Sequence, residues 1–193
     1  MRYEKGRKDE SRRRIVEIAS ERFRSDGIAA SGLAGIMKDA GLTNGAFYPH
    51  FQSKAALVSE SIAATLAGQA DQIREGLAEG GLEAVIAVYL SPEHRDNPGK
   101  GCTSAALLPE LARESVDTRS LYAERFLDIT REMASALPAG TPDPEAVALA
   151  IQATIIGTLQ LARAVEGTAL SDRILAAGAD AARTLINQRG APA

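Results

Sequence analysis

The hydrophobic positions of this chain recur at three- or four-residue steps along most of its length, which is the period of amphipathic α-helices. No segment shows the sustained alternation of a strand, so the pattern predicts an all-α fold with about nine helices in total. The first helix is predicted over residues 9–25 from Ile15, Ile18, Ala19 and Phe23. Gly27 should end it, since glycine readily takes up the left-handed conformation that follows many helices.

A second, shorter helix is predicted after residue 31. Ser31 can cap it, because a serine hydroxyl accepts a hydrogen bond from a free N–H of the first turn. The apolar positions of this helix fall on one face and are Leu33, Ile36, Met37 and Ala40. Gly41 then supplies the tight connection that a helix-turn-helix needs.

A third helix should begin with Thr43 as its N-cap and stay regular only to about Tyr48. Pro49 ends it, because proline lacks an N–H and restricts the residue before it. So short a helix is not stable alone. It should be held by the burial of Leu42, Phe47 and Phe51 against Phe23 and Ile36.

The rest of the chain predicts six further helices. A long helix over residues 53–79 should end at Gly80-Gly81, and the others are predicted over residues 82–90, 103–115, 116–137, 145–166 and 171–188. Residues 91–101 and 138–144 are predicted to be loops, because they are rich in Pro, Gly, Asp and Asn. Pro144 suits the first position of the helix that follows.

The last two predicted helices are apolar on more than one side, and such helices must be covered on more than one side. Two arrangements satisfy this pattern. Both helices can be core in a monomer, or they can pair with their symmetry mates in a four-helix dimer interface. The second arrangement would place at the interface Ile151, Ile155, Gly157, Leu159, Ala162, Ile174, Gly178, Ala182 and Leu185.

Charge is distributed unevenly along the 193 residues. Residues 1–60 carry 11 Lys and Arg against 8 Asp and Glu, a net charge of +3, and the other residues carry 11 against 17, a net charge of −6. A basic end on an acidic chain is typical of a protein that contacts nucleic acid with one part only. The first 14 residues are either a solvated helix face or an arm on a DNA backbone. Their basic residues are Arg2, Lys5, Arg7, Lys8, Arg12, Arg13 and Arg14.

Residues 41–54, with the sequence GLTNGAFYPHFQSK, carry hydroxyl, amide, phenol, imidazole and ammonium groups and no carboxylate. A surface of this kind suits an anion such as phosphate. The segment resembles the helix-turn-helix signature of the TetR/AcrR family of bacterial transcriptional regulators, and the resemblance is strong over residues 12–57. It implies a three-helix helix-turn-helix DNA-binding domain over residues 1–52 and a helical ligand-binding and dimerisation domain over residues 53–193.

The same resemblance implies which residues contact DNA. Asn44 and Ala46 would face base edges, with Thr43 and Tyr48 as further candidates. Tyr48, His50 and Lys54 match family positions that usually contact phosphate, and Ser31 could contact phosphate from the N-terminus of the second helix. Gly45 would let the backbone approach the DNA closely. The full set of residues expected to contact DNA is Ser31, Thr43, Asn44, Gly45, Ala46, Tyr48, His50 and Lys54.

The family implies a cytoplasmic homodimer that binds a pseudopalindromic operator in double-stranded DNA, most often a repressor that a small molecule releases. Its members typically dimerise through their last two helices, in agreement with the second arrangement above. No apolar run of about 18 residues and no signal peptide is apparent, so no membrane contact is expected. The alternative is a helical ligand-binding or adaptor protein that does not bind DNA.

No motif identifies the effector. Candidate lining residues from the two middle helices, each of which could equally be ordinary core, are Leu107, Leu111, Tyr122, Phe126 and Met133. The acid-rich middle of the chain favours a neutral or cationic ligand over an anionic one. Cys102, close to Lys100, is a candidate sensor of an electrophile or oxidant, although a lone cysteine is more often a small buried hydrophobe.

Catalysis is not expected. His50 and His94 lack metal-ligand spacing, and the chain contains no nucleophile motif, P-loop or cysteine pair. Glu110 and Glu114 flank Arg113 in a common exposed helix pattern. We therefore predict no metal, no cofactor and no enzymatic activity.

Overall fold

The structure of the chain, a computed structural model, describes the backbone of residues 2–187 and the side chains of residue 6 and of residues 8–187. Over these residues it is all-α and contains no strand, as predicted. The helices are α1 (Arg2–Asp26), α2 (Leu33–Asp39), α3 (Lys54–Tyr89), α4 (Pro92–Asp96), α5 (Thr103–Leu111), α6 (Val116–Ser135), α7 (Pro144–Ala164) and α8 (Ala169–Asn187), with 3₁₀ turns at Asn44–Ala46 and Pro98–Lys100.

The first two helices and the first 3₁₀ turn enclose a small apolar core, and we call residues 2–52 the head. Phe23, Ile36, Phe47 and Phe51 are all buried in this core, as predicted, whereas Leu42 is only half-buried. The rings of Phe47 and Phe51 stack with their centroids 5.4 Å apart. Each aromatic side chain of this size buries a large apolar area.

α1 extends further towards the N-terminus than predicted. It begins at Arg2 and not at residue 9, because the basic stretch continues the helix. The side chains of Arg2, Lys5 and Arg7 lie outside the described residues. At its other end, the predicted stop is confirmed, since Gly27 has a φ of +89° that an L-residue rarely adopts.

α3 bends sharply at Gly80-Gly81, where the sequence predicts the end of a helix. Gly81 has a φ of +67°, so the helix divides into an arm over residues 54–79 and an arm over residues 82–89. Ser53 caps the first arm, because its Oγ accepts a hydrogen bond from the Ala56 N–H at 3.1 Å.

The segment after α3 is more ordered than predicted. Residues 91–101 contain α4 and a 3₁₀ turn, so the prediction of a loop was wrong. Ser91 caps α4 by accepting the His94 N–H at 3.1 Å, and Pro92 occupies the first position, where its missing N–H is not needed. α5 and α6 both end earlier than predicted, at Leu111 and Ser135.

α7 lies in the interior and packs against α5, α6 and α8. It begins at Pro144, as predicted, and Asp143 caps it by accepting the Ala146 N–H at 3.2 Å. The helix is long and apolar enough to cross a membrane by length and composition alone, contrary to the expectation that no such run exists. A single such helix is weak evidence of a membrane span, and one side of α7 packs against other helices of the chain. The predicted last residue of α8, residue 188, lies outside the described residues.

Candidate nucleic-acid interface and central cavity

The turn at residues 43–48 presents polar side chains above a buried support. It is a single 3₁₀ turn, in which the Phe47 N–H donates to the Asn44 carbonyl at 3.2 Å, and not the longer helix predicted. Pro49 explains the difference, because it offers no N–H to extend the turn. Phe47 is 1 % exposed and lies beneath the turn, whereas Ala46 is half-buried and keeps part of its surface exposed. The exposed residues are Thr43, Asn44, Gly45 and Tyr48, the last of them 70 % exposed.

Neither predicted side-chain cap in the head forms. Thr43 occupies the N-cap position of the 3₁₀ turn, but its side chain makes no capping bond. α2 follows Gly32 and not Ser31. Ser31 is 1 % exposed, and its Oγ lies 2.7 Å from the Gly27 carbonyl oxygen. This hydroxyl closes the α1–α2 loop from inside and cannot reach a phosphate, so Ser31 does not belong among the DNA-binding residues.

Arg12 joins α1 to the turn and to α3. Its guanidinium pairs with the Glu60 carboxylate, donates to the His50 carbonyl and lies 4.4 Å from the centre of the Phe51 ring. These contacts hold the end of the turn against α1. Arg12 is therefore engaged within the chain and is not a free member of a basic arm. Nothing in the sequence indicates its pairing with Glu60, which lies 48 residues away.

Lys54 and His50 border the exposed turn, and both are partly engaged within the chain. The Lys54 ammonium donates to the Ile28 carbonyl at 2.5 Å and keeps two further N–H donors. Burial lowers the pKa of His50, and the positive charges of Lys8 and Arg12 act in the same direction. The imidazole Nδ1 is buried without a hydrogen-bond partner among the described residues. An anion at this edge would meet an ammonium and a neutral imidazole.

Two further side chains, Glu110 and Arg24, connect the head to the parts of the molecule around the cavity. The Glu110 carboxylate, on α5, accepts the N–H groups of Ile28 at 3.2 Å and Ala29 at 3.1 Å. The Arg24 guanidinium, on α1, donates to the Gly99 carbonyl at 2.8 Å and to Thr65 Oγ1 at 2.8 Å. Glu110 was expected to be an ordinary exposed helix charge. That expectation was wrong, because the side chain reaches a loop 82 residues earlier in the chain.

A cavity of about 560 Å³ lies among α3, α6 and α7. The segment from α4 to the start of α5 completes its wall. The buried part of the lining is largely apolar and includes Leu66, Val85, Ile129, Met133 and Ile156. A cavity of this size and character suits a drug-sized organic molecule.

Three of the six predicted ligand-binding residues line this cavity, namely Cys102, Phe126 and Met133. Leu107 and Leu111 are buried core residues outside the lining, and Tyr122 also lies outside it. Tyr122 stacks on Phe126 with ring centroids 5.7 Å apart, and its hydroxyl is 2.8 Å from Ser104 Oγ. The sequence analysis missed the contributions of α3 and α7, because an apolar position that lines a cavity has the same periodicity as one in a closed core.

One wall of the cavity contains a polar corner around His94. The neutral ring carries its proton on Nδ1, because Nδ1 lies 2.7 Å from the Tyr89 carbonyl while Nε2 accepts the Cys102 N–H at 3.0 Å. Burial lowers the pKa of His94. Burial also raises the pKa of Tyr89 well above its usual value, and its buried hydroxyl has no partner among the described residues. Cys102 is itself buried, and the prediction that it senses an electrophile stays untested.

Most residues predicted at a dimer interface are buried within the chain. α7 and α8 pack on each other through small residues, and a side chain at Gly178 would collide with Thr158. Ile155 lines the cavity. A residue buried within its own chain cannot contact a second chain. The interface prediction was therefore wrong for Ile151, Ile155, Leu159, Ala162, Gly178 and Ala182.

A different face of α7 is open. Leu149 is 41 % exposed and Leu161 is 62 % exposed, and Ala153 and Gly157 lie between them at four-residue steps. A Cβ atom added at Gly157 would meet nothing within 4 Å. The partly exposed apolar residues of α8 include Ile174 and Leu185. Gly157, Ile174 and Leu185 are thus the predicted interface residues that keep exposed surface.

Comparison with known proteins agrees with the geometry of the head. A family model described as "Bacterial regulatory proteins, tetR family" matches residues 15–60. The HTH-type transcriptional regulator AcrR of Shigella flexneri is 41 % identical over 51 residues, which are 26 % of this chain and 24 % of that protein. The match thus spans about a quarter of the curated relative's length.

Solved structures extend the similarity in fold to nearly the whole chain. A TetR transcriptional regulator from Chloroflexus aurantiacus is 25 % identical, with a TM-score of 0.72 and 98 % of each chain covered. A TetR-family regulator from Cytophaga hutchinsonii is 19 % identical, with a TM-score of 0.76 and coverage of 93 % of this chain and 94 % of that one. E. coli NemR in its reduced form is 20 % identical, with a TM-score of 0.71 and coverage of 88 % and 95 %. The head therefore matches the tetR family of bacterial regulatory proteins over residues 15–60, and nearly the whole chain has the fold of TetR-family transcriptional regulators.

Proposed function

We propose that the protein is a cytoplasmic homodimer that binds a pseudopalindromic operator and acts as a repressor released by a small molecule. The observation that carries the proposal is the exposed turn at residues 43–48. It combines Asn44 and Tyr48 in solvent with Phe47 locked beneath them, and no carboxylate lies within residues 41–54. Short polar side chains on a fixed support are what reading base edges in a major groove requires.

The proposed contacts divide into two kinds. Thr43, Asn44 and Ala46 would approach base edges, with Gly45 allowing the backbone to come close, and these contacts would specify the sequence. Tyr48, His50 and Lys54 surround them and would contact phosphate, which positions the head without selecting a sequence. Ser31 is excluded because of its burial.

The open face of α7 supports a dimer. Leu149, Ala153, Gly157 and Leu161 form an apolar stripe along one side of the helix, and Gly157 would let a second helix approach closely. A two-fold axis beside this stripe would pair α7 and α8 with their mates in a four-helix bundle. The two heads could then enter successive major grooves, about 34–36 Å apart or one turn further.

The contacts between cavity and head suggest how an effector would act. Residues 100–102 line the cavity, and the neighbouring Gly99 carbonyl accepts the Arg24 guanidinium of α1. α5 begins at the same wall and holds the α1–α2 loop through Glu110. A ligand that moves this wall would move the head, so DNA and effector would weaken each other's binding reciprocally.

The second candidate function is a helical ligand-binding or adaptor protein that does not bind DNA. The cavity is compatible with it, and the two functions differ in a single property, which is affinity for a specific duplex.

Fluorescence anisotropy separates them. The purified protein is titrated into a labelled duplex from immediately upstream of its own gene and into a scrambled duplex, at about 50 and 200 mM salt. We expect specific binding about a thousandfold tighter than binding to the scramble, with affinity falling at higher salt. The adaptor function predicts no binding to either duplex at either salt concentration.

A further inference from the structure

The charged side chains that line the cavity are mostly negative. Glu75, Glu79 and Glu93 are exposed lining residues, which places them at the mouth, and none of them forms an ion pair within 4 Å among the described residues. Among the residues that the structure describes, Lys100 is the one lysine or arginine in the lining. Arg163, a half-buried cation near the polar corner, is not a lining residue, and its guanidinium donates to the carbonyls of His94 and Arg95.

Gln152 gives the apolar interior of the cavity a polar group that the chain leaves partly unused. Its side chain is 4 % exposed and lines the cavity, and its amide oxygen lies 2.6 Å from Thr130 Oγ1. The Thr130 hydroxyl also lies 2.8 Å from the Phe126 carbonyl, and a hydroxyl has only one proton to donate. Either orientation of the Gln152 amide leaves one of its ends without a hydrogen-bond partner among the described residues.

A ligand hydroxyl would satisfy that free end in both orientations. If Thr130 donates to Gln152, the amide NH₂ is free and a ligand oxygen can accept from it. If the amide is reversed, its oxygen is free and a ligand O–H can donate to it. The free end faces the cavity, where water can reach it, and a ligand that fills the cavity displaces that water. A ligand that supplies a hydrogen-bond partner in place of the water is therefore favoured over one that does not.

We propose that the cavity selects a lipophilic cation: a molecule with an apolar body inside the cavity, a positive charge near the carboxylates of the mouth, and a hydroxyl-type group for Gln152. This inference rests on the proposed function, in which the cavity is the effector site. An exposed carboxylate attracts a cation only weakly in water. Three of them beside an apolar, low-dielectric wall attract it more strongly.

Tetraphenylphosphonium and tetraphenylborate test the sign of the charge, because they have nearly the same shape and opposite charges. Each is titrated by calorimetry into the full-length protein without DNA. We expect tetraphenylphosphonium to bind at least about tenfold more tightly than tetraphenylborate, consistent with the charge of the mouth. Equal binding, tighter binding of the borate, or no binding of the phosphonium at millimolar concentration would overturn the proposal.

Variants with neutral side chains at the mouth show whether its carboxylates cause the preference for the cation over the anion. In the triple variant Glu75→Gln, Glu79→Gln, Glu93→Gln, the preference for the cation should fall to about twofold or less. The control triple variant Asp117→Asn, Glu124→Gln, Glu166→Gln removes the same charge from exposed positions outside the lining and should keep the full preference. If both triple variants lose it equally, the preference comes from the net charge of the protein and the proposed mouth is wrong.

A second probe tests Gln152. (4-Hydroxyphenyl)triphenylphosphonium should bind severalfold more tightly than tetraphenylphosphonium to the wild type, and Gln152→Leu should abolish this gain. Thr130 can still donate to Phe126 in that variant, so the fold should persist, and Gln152→Met provides a second substitution of similar volume. Absence of the gain in the wild type would contradict the role of Gln152.

These results separate the inference from the proposed function. A protein that binds its operator but not the phosphonium rejects the ligand class alone. A protein that binds the phosphonium in its cavity but no DNA keeps the ligand class and supports the adaptor function.

Discussion

The head and the cavity of this protein differ in how their parts are distributed along the chain. The head draws its exposed turn, its aromatic support and its connection to α3 from residues 41–54, one uninterrupted stretch. The cavity is assembled from helices that lie far apart in sequence, so that Leu66 and Ile156 face the same space. A function carried by contiguous residues can be predicted from a sequence, whereas one carried by dispersed residues depends on how the helices pack.

The largest effect is expected in the head, where the adjacent residues Phe47 and Tyr48 separate stability from DNA binding. Phe47→Ala removes a fully buried ring from the small core of the head and should destabilise it by about 3–5 kcal/mol. DNA binding should be lost while α7 and α8 keep the molecule dimeric. Thermal unfolding followed by circular dichroism, with light scattering for the dimer, measures both effects.

Tyr48→Ala is the matched control, because Tyr48 is 70 % exposed and its ring supports little of the core. We expect a change in stability within about 0.5 kcal/mol. Operator affinity should nevertheless fall by about tenfold, as anisotropy would show. Unchanged affinity would remove Tyr48 from the DNA-binding surface, and a large loss of stability would show that the two aromatic residues are not separable.

The success of prediction in the head has a local physical cause. Gly27 and Gly41 permit the positive φ angles at which the chain turns, and Pro49 restricts the residue before it. The burial of Phe47 follows from the shortness of the segment it belongs to. Ser31 was assigned wrongly because a hydroxyl can accept from an N–H or donate to a carbonyl, and the sequence pattern does not distinguish the two.

The residues that line the cavity and those on the open face of α7 were predicted less well, for a different reason. The period of an apolar stripe shows that a face is covered and does not show what covers it. Ile151 and Leu159 are covered by the chain itself, Ile155 borders the cavity, and Leu161 is open. These four positions are equivalent in sequence character, and only the packing of neighbouring helices separates them.

Gly157→Leu tests the proposed dimer. The added side chain meets nothing within 4 Å in the single chain, and leucine favours a helix over glycine, so the folded subunit should be slightly stabilised. A partner helix against this face would be pushed away, and we expect the dimer to weaken by at least about tenfold, or about 1.4 kcal/mol. Analytical ultracentrifugation over a range of concentrations measures it.

Gly68→Leu is the control for this substitution. Gly68 also lies in a helix with nothing within 4 Å of an added Cβ, and it is exposed on α3, away from α7. The dimerisation affinity of the Gly68→Leu variant should equal that of the wild type. If the Gly157 variant dimerises as tightly as the Gly68 variant, the open face of α7 is not the interface.

Glu110→Ala tests the connection between the two regions. The substitution removes the carboxylate that accepts the N–H groups of Ile28 and Ala29, and we expect a loss of about 1–3 kcal/mol in unfolding free energy. Hydrogen exchange should quicken at residues 27–29. Glu114→Ala, on the same stretch of chain without such contacts, should change neither quantity. Equal effects in the two variants would mean that Glu110 does not hold the loop.

The smallest expected effect is a dependence of stability on pH. The pKa values of His50 and His94 lie below the usual 6.5 in the folded protein, in both cases mainly because of burial. Since the unfolded chain binds these protons more readily, stability is fully present above pH 6.5 and falls as the pH drops below it. For His94, protonation of Nε2 would also turn the acceptor of the Cys102 N–H into a second donor.

Urea unfolding at pH 7.5 and 5.5 measures this dependence. The wild type should be less stable at the lower pH. His94→Asn removes one of the two groups that titrate, so the stability of this variant should change less between the two pH values, although it is lower at both. A wild type that is more stable at pH 5.5 would contradict the assigned direction of both pKa values.

The central claim is that two heads of one dimer read DNA in a sequence-specific and symmetric manner. Selection of duplexes from a random pool by the purified protein, followed by sequencing, tests it most directly. Our account predicts an enriched inverted repeat whose half-sites lie about one or two helical turns apart, and its loss in a Tyr48→Ala, Asn44→Ala variant. Enrichment of a single asymmetric half-site would contradict the dimer, and no enrichment at all would contradict the assignment of the head as a reader of DNA.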